Sequence, residues 1–237
     1  MIGGFIISGT AHKSIVIRAL GPSLAGHGVK NVLADPVLEL YDSTGQVIAA
    51  NDNWTSLPAN TFPVELEPTN PAESVIAISL PPGSYTAVLQ GANNSAGNAL
   101  CELYDLEPGN SSVRNISTRG QVGSGDDVMI GGFIVGGTNS SKVIIRAIGP
   151  SLTAVGVAGA LPDPILELHN SDGSLIFQND NWRSDQEQQI IASTVPPSND
   201  QESAIVATLT PGAYTAIVRG AGNTTGVALV EVYALDQ

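Results

Sequence analysis

The chain carries the same text twice, and nothing else about it restricts the possible folds as much. "IVIRALGPSL" at residues 15–24 returns as "IIRAIGPSL" at 144–152, which sets Arg18 and Arg146 128 positions apart. "DPVLELYDSTGQVIAANDNW" (35–54) returns as "DPILELHNSDGSLIFQNDNW" (163–182) at the same offset. "PPGSYTAVLQGA" (81–92) and "GNALCELYDL" (97–106) return as "TPGAYTAIVRGA" (210–221) and "GVALVEVYAL" (226–235), now offset by 129. The one-residue gain falls after the tryptophans, where the copies share little, and this marks a loop. Self-similarity of this kind defines a duplicated unit. The divisions read as a first repeat over 1–106, a linker with an extra strand over 107–128, and a second repeat over 129–237.

Within a copy, short apolar or alternating runs rich in Val, Ile, Thr and Tyr are broken by Gly, Pro, Asn and Asp. This spacing predicts strands at 2–8, 14–19, 37–41, 47–50, 74–79, 84–90 and 99–104. "LYDSTGQVI" is a hairpin signal, with Gly45 free to take a positive φ. "LPPGSYT" is a Pro-Gly turn feeding an alternating strand. "VRNISTRGQV" predicts one more strand between the copies, and "DQEQQIIAS" (185–193) a short helix. The expected fold class is all-β, as two tandem immunoglobulin-like β-sandwich domains.

Charge narrows the partners. Nine basic residues against twenty-two acidic ones leave the chain at −13, which repels phosphate backbones and sets nucleic acid aside. Charged residues make up only 13% of the 237, so much surface is expected to be hidden against copies of the same chain. No apolar run approaches the roughly 20 residues needed for a membrane span, and no basic-then-apolar signal segment opens the sequence. The lone cysteine, Cys101, is matched by Val230 and reads as a buried, inert thiol.

Catalysis is not expected. His12, His27 and His169 are matched by Ser140, Val155 and Tyr41, so no histidine belongs to the shared design. "GPSL" lacks the G-x-S-x-G spacing of a nucleophile turn, and the "GSG" at 123–125 lies in no strand–loop–helix unit. "NDNW" places Asp52 and Asp180 among amide oxygens that could serve a hard cation, but the acidic count of a calcium loop is missing. Turns whose Asn and Asp side chains satisfy local backbone are preferred, with no metal and no cofactor. Arg18 and Arg146 interrupt apolar strands and must be paired there. Glu39 and Glu167 are the expected partners, with Asp35 and Asp163 second. Six N-x-[ST] sequons, at Asn53, Asn93, Asn110, Asn115, Asn139 and Asn223, are candidate glycosylation sites.

The first copy opens with "MIGGFIISG" (1–9), echoed by "MIGGFIVGG" (129–137), but only the second is preceded by a "VRNISTRGQV" segment. An incomplete sheet exposes unpaired N–H and C=O groups and invites a strand from elsewhere. Residues 1–8, with Ile2, Phe5, Ile6 and Ile7 and no charged side chain, are the expected donor. The expected acceptor edge is the last strand of the second repeat, through Ala228, Val230, Val232 and Tyr233.

"ISTRGQVGSGDDVMIGGFIVGG", "IRAIGPSL", "NDNW" and "PGAYTAIVRG" together resemble a tandem immunoglobulin-like repeat of uncharacterised extracellular bacterial proteins. The two-domain form is also similar to the protomer of pilus-like helical fibrils assembled by donor-strand exchange. That resemblance implies a structural protein at the bacterial surface, a homopolymer in which an N-terminal strand completes a domain of another protomer. The rival reading is a monomeric adhesive or carbohydrate-binding module, calcium-dependent or not, within a secreted protein.

Overall fold

The structure, a computed structural model, describes residues 1–106, 111–125 and 127–236. The chain divides into two compact units, Met1–Arg114 and Asn115–Gln237. Both are built almost wholly from antiparallel strands.

The first unit contributes, in chain order, β1 (Ile2–Gly9), β2 (Lys13–Leu20), β3 (Pro36–Tyr41), β4 (Val47–Asn51), β5 (Ser74–Leu80), β6 (Gly83–Gly91) and β7 (Leu100–Asp105). Each of the seven expected strands is present, with ends within a residue of the sequence reading. One set of strands runs β4-β3-β6-β1, with β8 (Ser111–Val122) next beyond β1, and the other sheet runs β5-β2-β7. Alternation explains why these segments become strands rather than helices. In β3 every second residue (Pro36, Leu38, Leu40) is buried, as a sheet with one face on a core requires.

β8 (Ser111–Val122) begins at the boundary and pairs with the second unit. Then follow β9 (Met129–Val135), β10 (Ser141–Ile148), β11 (Pro164–His169), β12 (Leu175–Asn179), α1 (Glu187–Ala192), β13 (Ser203–Leu209), β14 (Gly212–Gly220) and β15 (Gly226–Ala234). The sheets run β12-β11-β14-β9 and β13-β10-β15-β8. Leu166, Leu168 and Val218 from the first pack with Val143, Ile145 and Val230 from the second in one core, the arrangement of a β-sandwich.

Local turn chemistry is duplicated along with the strands. In the β3–β4 hairpin Gly45 has φ 82°, and in the β11–β12 hairpin Gly173 has φ 83°. Left-handed backbone costs glycine nothing. The Asp42 carboxylate accepts from the Thr44 hydroxyl and from the amides of Thr44 and Gln46. These bonds, the Thr44 hydroxyl first, hold its pKa below the usual carboxylate value. Phe5 stacks on Tyr85 at 5.4 Å, and Phe133 on Tyr214 at 5.6 Å. Each tyrosine hydroxyl returns to the turn behind it, donating to the Pro81 and Thr210 carbonyls.

Candidate functional site

One difference between the copies stands out once the duplicated parts are matched. In the second unit β15 is paired on both sides, with β10 along one edge and β8 along the other. In the first unit β7, its counterpart, pairs with β2 and ends its sheet. Among the described residues no strand runs along its outer edge.

The consequences are graded as the missing neighbour would require. β15 spans nine residues and β7 only six. The three lost at the front of β7 match Gly226, Val227 and Ala228, which lie opposite Val122, Gln121 and Gly120 of β8. Val230 and Val232 are 2% and 8% exposed, whereas Cys101 and Leu103, at the same places on β7, are only half-buried. Met129 is 6% exposed and packs over Gly120, while Met1, its equivalent, is 42% exposed. Leu100 is left 39% exposed. An edge strand with unpaired backbone groups and apolar side chains is a template for another strand.

The sequence expectation placed the donor at residues 1–8 and the acceptor at β15; within the single chain both segments are paired. Residues 2–7 of β1 are laddered to β6 of their own unit, Ile2 opposite Val88 and Ile7 opposite Gly83. The Met1 ammonium donates to the Leu89 carbonyl at 2.8 Å. Phe5 and Ile7 are buried in the home core, 3% and 2% exposed, with Ile2 and Ile6 half-buried. The proposed acceptor residues Ala228, Val230, Val232 and Tyr233 sit on a strand with both edges occupied. β8, the extra strand expected between the copies, is laddered to β15 from Asn115 to Val122, and β1 is its other neighbour in the strand order.

The arginines are paired, but not with the residues expected. Arg18 Nε donates to Glu102 at 2.8 Å, and the guanidinium also reaches the Tyr104 hydroxyl and the Leu66 carbonyl. Arg146 pairs with Glu231 and donates to the Val195 carbonyl at 2.8 Å. Cross-strand position decides this: Arg18 lies opposite Glu102, and Arg146 opposite Glu231, on adjacent strands. Glu39 and Glu167 serve other partners. Glu39 accepts from Tyr41, and Glu167 bonds His169, the residue matching Tyr41. That bond, more than any other influence, raises the His169 pKa.

"NDNW" is a structural turn. Asn51 Oδ1 accepts from the Val75 amide and Asn179 Oδ1 from the Ala204 amide, while their Nδ2 groups donate to the carbonyls of Asn53 and Asn181. Asp52 and Asp180 are exposed, and no group of three or more His, Cys, Asp or Glu among the described residues is placed to hold a metal. Asp35 and Asp163, the second-choice arginine partners, pair with neither. Burial, then the charge of Asp180, raises the Asp163 pKa. Of the sequons, Asn93, Asn139 and Asn223 are exposed and Asn53 is half-buried. Asn115 is 6% exposed and donates to the Val232 carbonyl at 3.2 Å, which leaves no room for a glycan. Asn110 lies outside the described residues. Cys101 is half-buried, and burial pushes its thiol pKa up to about 12, which favours the protonated form at neutral pH.

Sequence reasoning missed one pair of residues altogether. Glu73 and Glu202 are fully buried. Glu73 Oε1 accepts from the amides of Gly21 and Ser23 at 3.0 and 2.9 Å and from the Ser23 hydroxyl at 2.6 Å. Glu202 does the same for Gly149 and Ser151. Each carboxylate thus clamps a "GPSL" turn. A Cβ at Gly21 would stand 2.1 Å from the Leu33 carbonyl oxygen, so only glycine fits. The signal was an "ES" dipeptide recurring just before a strand, at 73–74 and 202–203.

No family model and no curated protein matches this chain. Among solved structures, the STIV MCP aligns over 97% of this chain and 91% of its own at 9% identity and a TM-score of 0.30. A secreted protein from Eubacterium rectale aligns over 98% and 68% at 10% identity and 0.24. The VP2 subviral particle of infectious bursal disease virus aligns over 95% and 58% at 9% identity and 0.22. Scores this low carry nothing about fold or role. No helix among the described residues is long and apolar enough to cross a membrane.

Proposed function

We propose that this chain is a non-enzymatic structural subunit of an extracellular, pilus-like bacterial fibre, its two repeats being tandem immunoglobulin-like sandwiches joined in series by strand complementation. The observation that carries this reading is the contrast between β15, covered by β8, and β7, left bare on the same side. Within the chain, β8 arrives from the linker that leaves the first repeat and completes the second. Between protomers, the same kind of joint completes the first repeat with a strand from another copy. In each copy β1 is laddered to β6 and β8 to β15, so a strand given to another copy either leaves one of these ladders or lies outside residues 1–237. Donor and acceptor surfaces differ, so the contact is heterologous and propagates into a ring or an open filament.

The test is to append a second copy of residues 107–122 after Gln237, where it stands as the linker stands after the first repeat. Filaments visible by negative-stain electron microscopy are expected from this variant. The same variant with lysine at the appended position that copies Ile116 is expected to remain monomeric. A monomeric tail-extended chain at hundreds of micromolar contradicts the proposal.

A further inference from the structure

We infer that the strand completing the first unit has the residue pattern of β8, runs antiparallel to β7, and places its isoleucine opposite Leu103; this rests on reading β7 as an acceptor edge. The register comes from the second unit. There Ile116 faces Val232, Thr118 faces Val230, Gly120 faces Ala228 and Val122 faces Gly226. The corresponding residues of the first unit are Leu103, Cys101, Ala99 and Gly97. The core-facing positions of the partner strand are therefore a branched apolar residue, a small hydroxyl, a glycine and a second branched apolar residue, two apart.

In the second unit those positions close the core. Val122 is fully buried and Ile116 packs against the cluster that includes Val230 and Val232. The intervening side chains, Ser117, Arg119 and Gln121, point the other way and leave the core face dry. An asparagine at the position of Asn115 adds a lock, since its side-chain amide donates to the Val232 carbonyl. Leu103 supplies the matching carbonyl in the first unit.

Charge selects the same strand. β8 carries Arg114 and Arg119 and no acidic residue, while the chain as a whole stands at −13. β7 carries Glu102 and Asp105, which pair with Arg18 and Lys13 of β2. At net −13 the chain as a whole favours a strand with two cations and no acid over a second copy of β7, which adds negative charge. β1 is unsuited for the opposite reason. It has no charge, and its apolar residues already fill their own unit.

The probe is a fluorescein-labelled synthetic peptide with the sequence of residues 111–122, titrated into the 237-residue chain and followed by anisotropy. Saturable binding is expected, with hydrogen-exchange protection gained at residues 100–104 and none lost at β15. A peptide with Ile116→Lys should bind at least tenfold more weakly, as should one with Thr118→Pro, which removes a ladder donor. Because both changes are in the peptide, the folding of the protein is untouched. Absent binding, equal binding of all three peptides, or protection outside residues 97–105 overturns the inference. If the peptide binds as described while the tail-extended chain stays monomeric, the strand assignment stands and the fibre reading falls.

Discussion

Replacing Glu202 by alanine tests whether the two buried carboxylates organise their turns. Glu202 is fully buried, and its Oε1 receives the amides of Gly149 and Ser151 and the Ser151 hydroxyl, while Oε2 receives the Asn199 amide at 3.2 Å. Truncation strips four donors of their acceptor. An orphaned buried donor costs about 1–3 kcal/mol, but water entering the vacated volume relieves some of them, so about 3–5 kcal/mol is the expected loss. Glutamine separates the two repeats. In the second unit its NH2 group meets the Asn199 amide, donor against donor. In the first, Glu73 Oε2 has no partner to lose. Glu202→Gln should therefore cost about 1–2 kcal/mol more than Glu73→Gln. The chain has two tryptophans, one per repeat, so Trp54→Phe and Trp182→Phe backgrounds let fluorescence report each unit separately during urea denaturation. With a denaturant slope of about 2 kcal/mol/M, Glu202→Ala should lower the second unit's midpoint by about 2 M and leave the first unit's unchanged. A shift below about 0.5 M would refute the clamp.

Three further outcomes follow from the geometry. Arg146→Ala strands Glu231, whose side chain is 10% exposed, and should cost about 3 kcal/mol or more; Arg18→Ala strands the more accessible Glu102, 24% exposed, and should cost about half as much in the same urea assay. The His169 pKa is raised above its ordinary value of 6.5 by Glu167, so its stabilising contribution is complete below that value and fades as pH rises through the folded-state pKa. Thermal melts of the chain and of His169→Tyr should therefore diverge across that window, with the wild type losing stability as pH rises and the variant flat. Ile116→Ala on β8 should lower the second unit's stability by about 1–2 kcal/mol and leave the first unit's unfolding unaltered, as read by the two tryptophans.

Strand positions were legible because every one of them alternates or carries a turn signal at its end. "LYDSTGQVI" announced its hairpin through Gly45, and the copy confirmed it through Gly173. Pairing across the sheets was not legible. Arg18 was matched to Glu39, whereas cross-strand register sets Glu102 against it, 84 residues away. A single sequence contains the residues of a ladder but not its register. The open edge was half legible: "VRNISTRGQV" predicted the extra strand between the copies, which is laddered to β15. Its side was misjudged, because the end of the chain looked like the place where a neighbour was absent. The fold puts β8 beside the final strand, which closes the second unit and leaves the gap at β7. Glu73 and Glu202 were overlooked because a buried carboxylate held by backbone amides has no motif beyond its own recurrence.

Amide hydrogen exchange on the dilute 237-residue chain tests most directly whether the outer edge of β7 is open. β7 and β15 are the same strand with and without a neighbour, so each molecule contains its own control. The amides of residues 226–233 are expected to exchange slowly throughout, while in residues 97–104 the amides that face away from β2 exchange orders of magnitude faster than those that face it. Uniformly slow exchange across residues 97–104, matching β15 in a chain shown to be monomeric, would mean that the β7 edge is already closed.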